Sequence, residues 1–105
     1  MSQRFRLAAV DEVPAGTGKE FVAGGRIIAV FHVDDGFHAL DGICPHAGGP
    51  LAQGYLRKHV VTCPWHGWQF DVTTGQHCLN ARLQHATFPV VVENDEIFVD
   101  LPDAG

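Results

Sequence analysis

Short runs of β-branched and aromatic residues, set between turns rich in glycine, proline, Asp and Asn, restrict this chain to an all-β fold. The turns stand at Val13-Pro14-Ala15-Gly16, Gly24-Gly25, Asp34-Asp35-Gly36, Thr73-Thr74-Gly75 and Glu93-Asn94-Asp95. The strand-like runs cover residues 5–10, 20–23, 26–33, 37–40, 60–62, 68–72, 88–92 and 97–101, and no window sustains a helical period. Gly24-Gly25 and Asp35-Gly36 supply the positive φ that tight hairpins need, so residues 20–40 read as a three-stranded meander. Val90-Val91-Val92 and Ile97-Phe98-Val99 read as a further hairpin.

A length of 105 residues fits one domain, and a 46% apolar fraction can fill its core. A domain of this size buries about two-thirds of its unfolded surface. Seven basic against twelve acidic residues give a formal charge of −5. That balance offers no basic footprint for nucleic acid or anionic lipid, and an acidic surface suits a partner with a basic docking face. The longest apolar run, residues 27–31, is too short to span a bilayer, and Met1-Ser2-Gln3-Arg4 does not lead into a signal-peptide core. The expectation is a cytoplasmic monomer with neither membrane nor nucleic-acid partners. Three cysteines are too few for a disulfide scaffold, and seven histidines shift the balance toward metal binding.

Composition changes in the middle of the chain. Residues 42–80 hold all three cysteines, both tryptophans and four of the seven histidines, with short strand-like stretches and many glycines. The reading is a single domain over residues 1–105: a β base at about 1–41 and 84–105, and an inserted loop-rich subdomain at about 42–83. The two flanking sections must pair with each other to form the base.

Two segments of that insertion mirror each other. Cys44-Pro45-His46 precedes Ala47-Gly48-Gly49, and Cys63-Pro64-Trp65-His66 precedes Gly67. Each offers one soft thiolate and one imidazole from a tight loop, and together they supply two sulfur and two nitrogen ligands to one centre. The glycines let backbone N–H groups approach sulfur closely. Such a set could hold a single tetrahedral zinc. A Cys63/His66 nucleophilic pair is a weaker alternative, because the sequence places no third group to orient the histidine.

Gly42-Ile43-Cys44-Pro45-His46-Ala47-Gly48-Gly49-Pro50-Leu51 together with Cys63-Pro64-Trp65-His66-Gly67-Trp68-Gln69-Phe70-Asp71 resembles the Rieske 2Fe-2S proteins, in which two histidines replace two cysteines on one iron. The resemblance runs the length of the chain and implies an antiparallel β-sandwich of the Rieske type with one 2Fe-2S cluster per chain. By it, Cys44 and Cys63 hold one iron, and His46 and His66 hold the other. High-potential members brace the two loops with an extra disulfide and donate a serine and a tyrosine hydroxyl toward the cluster sulfurs. The matching positions here are Gly49, Trp65, Trp68 and Phe70, none of which can do so. The resemblance is therefore to the low-potential ferredoxin and oxygenase group. The segment that usually carries a covering proline is Leu79-Asn80-Ala81-Arg82 and has none.

The implied function is a one-electron carrier, not an enzyme, passing electrons from a flavin-dependent reductase to a terminal oxygenase, a terminal reductase or a similar acceptor. The rival is the small subunit of NAD(P)H-dependent nitrite reductase, whose motifs are similar, and a third class is a redox sensor. Outside the motifs, Cys78 reads as a buried small hydrophobe. His32, His38, His59, His77 and His85 read as surface or strand-face residues. Trp65 and Trp68 read either as cluster shields and docking residues or, for Trp68, as sheet packing.

Overall fold

The computed structural model describes residues 2–34, 36–43, 49–64, 67–78, 82 and 85–102. Among the described residues, ten strands form three antiparallel sheets. The first sheet is ordered β1-β10-β9, from β1 (Ser2–Ala9), β10 (Glu96–Pro102) and β9 (Val90–Glu93). The second is ordered β2-β3-β4-β8, from β2 (Gly18–Ala23), β3 (Arg26–Val33), β4 (Gly36–Asp41) and β8 (Thr87–Phe88). The third is ordered β5-β6-β7, from β5 (Tyr55–Arg57), β6 (Val60–Thr62) and β7 (Gln69–Asp71). Single 3-10 turns occupy Val10–Glu12 and Leu51–Gln53. Among the described residues, no helix is long and apolar enough to cross a membrane.

The second sheet is the middle layer, and β3 explains why. Side chains alternate across a strand, and on β3 both sets are apolar. Ile28 and Val30 join Ala39, Phe88, Val99 and Leu101 in one buried cluster, with Phe5 and Leu7 packed against it. Ala29, Phe31 and Val33 enter a second cluster with Leu51, Val61, Cys63, Phe70 and Val72. The apolar run at 27–31 is thus a strand covered on both faces, which requires a near-continuous hydrophobic sequence.

The expected meander forms as β2-β3-β4, with Gly18↔Phe31 and Val33↔Gly36 marking its registers. Gly24 and Gly25 turn the first hairpin at φ 56° and 76°, and Asn94 and Asp95 turn the last at φ 52° and 62°, both pairs in the primed geometry that suits strand twist. The run expected at 88–92 is divided. Pro89 has no N–H to continue a ladder, so Thr87–Phe88 pairs with β4 while Val90–Glu93 pairs with β10. The two ends of the chain pair along almost their full length, from Ser2↔Pro102 to Ala9↔Glu96, with an irregularity between Arg6 and Ala8. Across that pair Arg4 Nε donates to Asp100 Oδ1 at 2.8 Å, and Arg6 pairs with Glu96. β5 was not foreseen, since Tyr55-Leu56-Arg57 is too short to show a pattern.

Gly75 illustrates how closely the layers approach. It has φ +80°, and a Cβ there would lie 2.2 Å from the His85 carbonyl oxygen, whereas Gly16 at φ +82° faces open space. Gly16→Ala should cost the roughly 1–2 kcal/mol of a left-handed alanine. Gly75→Ala should cost clearly more, read as the difference between urea midpoints. A second expectation concerns acid. The Arg4 guanidinium holds the Asp100 carboxyl below its ordinary value of 3.8. A lowered folded-state value contributes stability above the unfolded pKa and loses it as pH falls through the folded one. Asp100→Asn should therefore flatten the decline of the urea midpoint below about pH 4.

Candidate metal centre

The loop that carries Cys44 and His46 is tied at its foot before the ligands begin. Gly42 N donates to Ile27 O at 2.8 Å, and Leu51 N donates to Gly42 O at 2.9 Å. Ile43 and Pro50 form an isolated bridge across the same foot. Asp41, the last residue of β4, is fixed from three sides. Its backbone N donates to Ala86 O at 3.0 Å, its Oδ1 accepts from Ile43 N at 3.0 Å, and its carbonyl accepts from His85 Nε2 at 2.7 Å. A carbonyl can only accept, so His85 carries its proton on Nε2.

The second loop closes more tightly. Cys63 follows β6 directly, and its N donates to Trp68 O at 2.7 Å, enclosing residues 64–67. Cys63 is buried, with 1% of its surface exposed, in the same cluster as Leu51, which stands just past the first loop. One packed core therefore holds the feet of both loops. Of the four expected ligands, Cys63 has this defined place, and Cys44, His46 and His66 lie outside the described residues, as does Trp65. A buried thiol at the foot of a loop closed by its own backbone fits a metal-held sulfur, and two thiolates with two imidazoles suit a mixed-ligand iron-sulfur centre.

Behind Cys63 lies an aromatic stack absent from the sequence reading. Phe70 is fully buried, with the His77 ring 5.2 Å away at 86° and the His85 ring 5.4 Å away at 36°. Trp68 meets His77 edge-on at 4.7 Å, which places it in packing rather than on a free surface. His77 and His85, read as surface or strand-face residues, are 6% and 7% exposed: His77 faces Phe70 across an isolated bridge, and His85 is buried outside any strand. A signal existed for one of them, because symmetry about the Thr73-Thr74 turn puts His77 opposite Phe70, and that bridge forms. His32 is half-buried, its Nδ1 2.8 Å from Val13 O and its ring stacked on Phe37 at 4.1 Å.

Cys78 differs from its expected burial. It is exposed beside Tyr55, Arg57, Val60 and Gln69, and its backbone N donates to Gln69 O at 2.9 Å. Partial desolvation of the sulfur, followed by the nearby Asp71, pushes its thiol pKa up, which keeps it protonated and poorly nucleophilic at neutral pH.

Comparison with known proteins agrees with this arrangement. Residues 3–93 match the Rieske 2Fe-2S domain. The ferredoxin subunit of 3-phenylpropionate/cinnamic acid dioxygenase from Escherichia coli K12 is 36% identical over 103 residues, covering 96% of each chain. The ferredoxin of carbazole 1,9a-dioxygenase from Nocardioides aromaticivorans IC177 superposes with a TM-score of 0.87 at 30% identity, covering 96% of this chain and 99% of that one. A structure assigned to the NADH-dependent nitrite reductase small subunit of Mycobacterium tuberculosis gives 0.89 at 21% identity, with 99% of both chains covered. The chain belongs to the Rieske 2Fe-2S domain family.

The His85 bond to Asp41 generates an expectation. His85→Phe keeps a ring against Phe70 but leaves the Asp41 carbonyl without its donor, and should lower stability by about 1–3 kcal/mol. Urea unfolding followed by far-UV circular dichroism measures this, with Cys78→Ser as a variant expected to stay within about 0.5 kcal/mol of the wild type.

Proposed function

We propose that this chain is a Rieske-type ferredoxin, a one-electron carrier between a flavin-dependent reductase and a terminal oxygenase. End-to-end similarity to ferredoxin subunits of dioxygenase systems, at 36% and 30% identity, carries this reading. A relative at 30% identity, with 91% of both chains covered, is the ferredoxin in the complex of reduced oxygenase and oxidised ferredoxin of carbazole 1,9a-dioxygenase. The nitrite reductase small subunit, at 21% identity, shares the fold alone.

Cys44 and Cys63 would hold one iron and His46 and His66 the other. When bound, the cluster takes up and releases one electron. The chain's part is to fix the two loop feet on one core, with Cys63 buried at the end of β6 and its backbone N tied to Trp68 O. Trp68 and Phe70 offer no hydroxyl to a sulfur. Fewer hydrogen bonds to sulfur stabilise the reduced state less, which favours the low end of the roughly −150 to +300 mV Rieske range. This reading takes the carrier to be a monomer working in the cytoplasm.

The test is metal analysis joined to ligand variants. The purified chain should carry two irons and two labile sulfides, give a rhombic signal in electron paramagnetic resonance after reduction, and elute as a monomer. Cys44→Ala, Cys63→Ala, His46→Ala and His66→Ala should each lose iron, while Cys78→Ser keeps it. One zinc without sulfide, or iron lost from Cys78→Ser and retained by Cys44→Ala, would contradict the assignment.

A further inference from the structure

His85 and Ala86 continue β8 backward past the end of its pairing with β4. After Ala39↔Phe88 and Leu40↔Thr87, Asp41 N donates to Ala86 O at 3.0 Å. One residue further back, His85 Nε2 donates to Asp41 O at 2.7 Å, while His85 N donates to Gly75 O at 2.6 Å. This two-residue segment is therefore bonded to the end of β4 and to the turn after β7. We propose that it is a strap fixing the two ligand loops relative to one another, and that His85 is a positioning residue for the cluster through its bond to Asp41. The proposal rests on the reading of Cys44, His46, Cys63 and His66 as cluster ligands and adds to them a residue outside both motifs.

Each end of the strap leads to a loop foot through a short run of contacts. Toward the first loop, Asp41 Oδ1 accepts from Ile43 N at 3.0 Å, and Ile43 directly precedes Cys44. Toward the second, Gly75 N donates to Asp71 O at 2.7 Å, and Asp71 is the last residue of β7. The His85 ring also packs on Phe70, in the middle of that strand. Trp68 stands just before β7, and its carbonyl accepts from Cys63 N at 2.7 Å. His85 thus touches β7 through both its backbone and its ring, and β4 through Nε2.

The fit around the strap leaves it little freedom. A Cβ on Gly75 would lie 2.2 Å from His85 O and 2.8 Å from Thr87 Cγ2, so only glycine lets the strap lie this close to the turn. Close-packed interiors transmit displacement, and a buried ring bonded at one end and packed at the other cannot follow one foot without straining its contact with the second. Groups that hydrogen-bond behind metal ligands fix their orientation, and losing one typically costs roughly 10–100-fold in metal affinity. His85 acts through Asp41 and not on a ligand directly, which puts its effect at the lower end, about tenfold.

Two measurements on the holoprotein test the strap: the rate at which the reduced protein releases iron to bathophenanthroline disulfonate, and the line width of its rhombic electron paramagnetic resonance signal. His85→Phe keeps a ring against Phe70 but removes the donor. It should speed iron release about tenfold and broaden the signal, because the ligands then take a wider spread of positions. His85→Gln restores an N–H donor and should bring iron release back to within about twofold of the wild type, with the original line width. Val99→Ala opens a cavity in the base core, away from the strap, and should lower the urea midpoint while leaving both readings unchanged. If His85→Phe assembles no cluster, Asp41→Ala and Asp41→Asn supply the comparison, since only asparagine keeps an oxygen for Ile43 N; the first should broaden the signal and the second should not. Unchanged readings in His85→Phe, no rescue by His85→Gln, or an equal effect from Val99→Ala would overturn the strap. A wild-type chain that carries no iron and sulfide would overturn the cluster reading, and the strap's role with it.

Discussion

The burial of β3 on both faces is the constraint on which the rest of the molecule depends. Ile28 and Val30 hold the sheet of paired chain ends, while Ala29, Phe31 and Val33 hold the small sheet beneath the loops. Full burial of each larger side chain among these stabilises by roughly 1.5–3 kcal/mol, so one strand carries both layer contacts. The same strand reaches the candidate metal centre through its backbone, since Ile27 O accepts from Gly42 N at the foot of the first loop. A disturbance of β3 would loosen the base and the loop foot together.

From that strand outward, the loop feet are set by hydrogen bonds that need no metal. Gly42 with Leu51 closes one loop, Cys63 with Trp68 closes the other, and His85 bonds the end of β4 from a third direction. Ordering a residue costs about 1–2 kcal/mol of backbone entropy. Pins at both feet fix the points from which the two loops leave the core, so less of a cluster's binding energy goes into ordering those feet. Leu51 and Cys63 share one core, which makes the distance between the loops a property of packing.

Much of this was legible because local chemistry and global fold agree. Gly24-Gly25 and Glu93-Asn94-Asp95 announce their hairpins through residues that tolerate positive φ, and the paired Cys and His motifs announce family and cofactor. What escaped the sequence depends on distant contacts. Pro89 divides one apolar run between two sheets, a division set by the partners β4 and β10. His85 is buried because Asp41, 44 positions away, needs a donor. Cys78 is exposed because its neighbours on the small sheet leave that face open.

Phe70 links packing to redox character. It occupies the position at which high-potential relatives of this motif carry a tyrosine, and here the ring is fully buried between His77 and His85. A hydroxyl added there would enter a closed aromatic stack, where an unbonded polar group costs about 1–3 kcal/mol by protein mutational data. It would have to find the sulfur to recover that cost. Trp68 presents the same conflict, because its indole fills space against Phe70 and His77 that a serine would leave empty. The missing hydroxyls and the filled core are therefore two consequences of the same residues. Moving this chain toward high potential would require repacking both histidines along with the two hydroxyl substitutions.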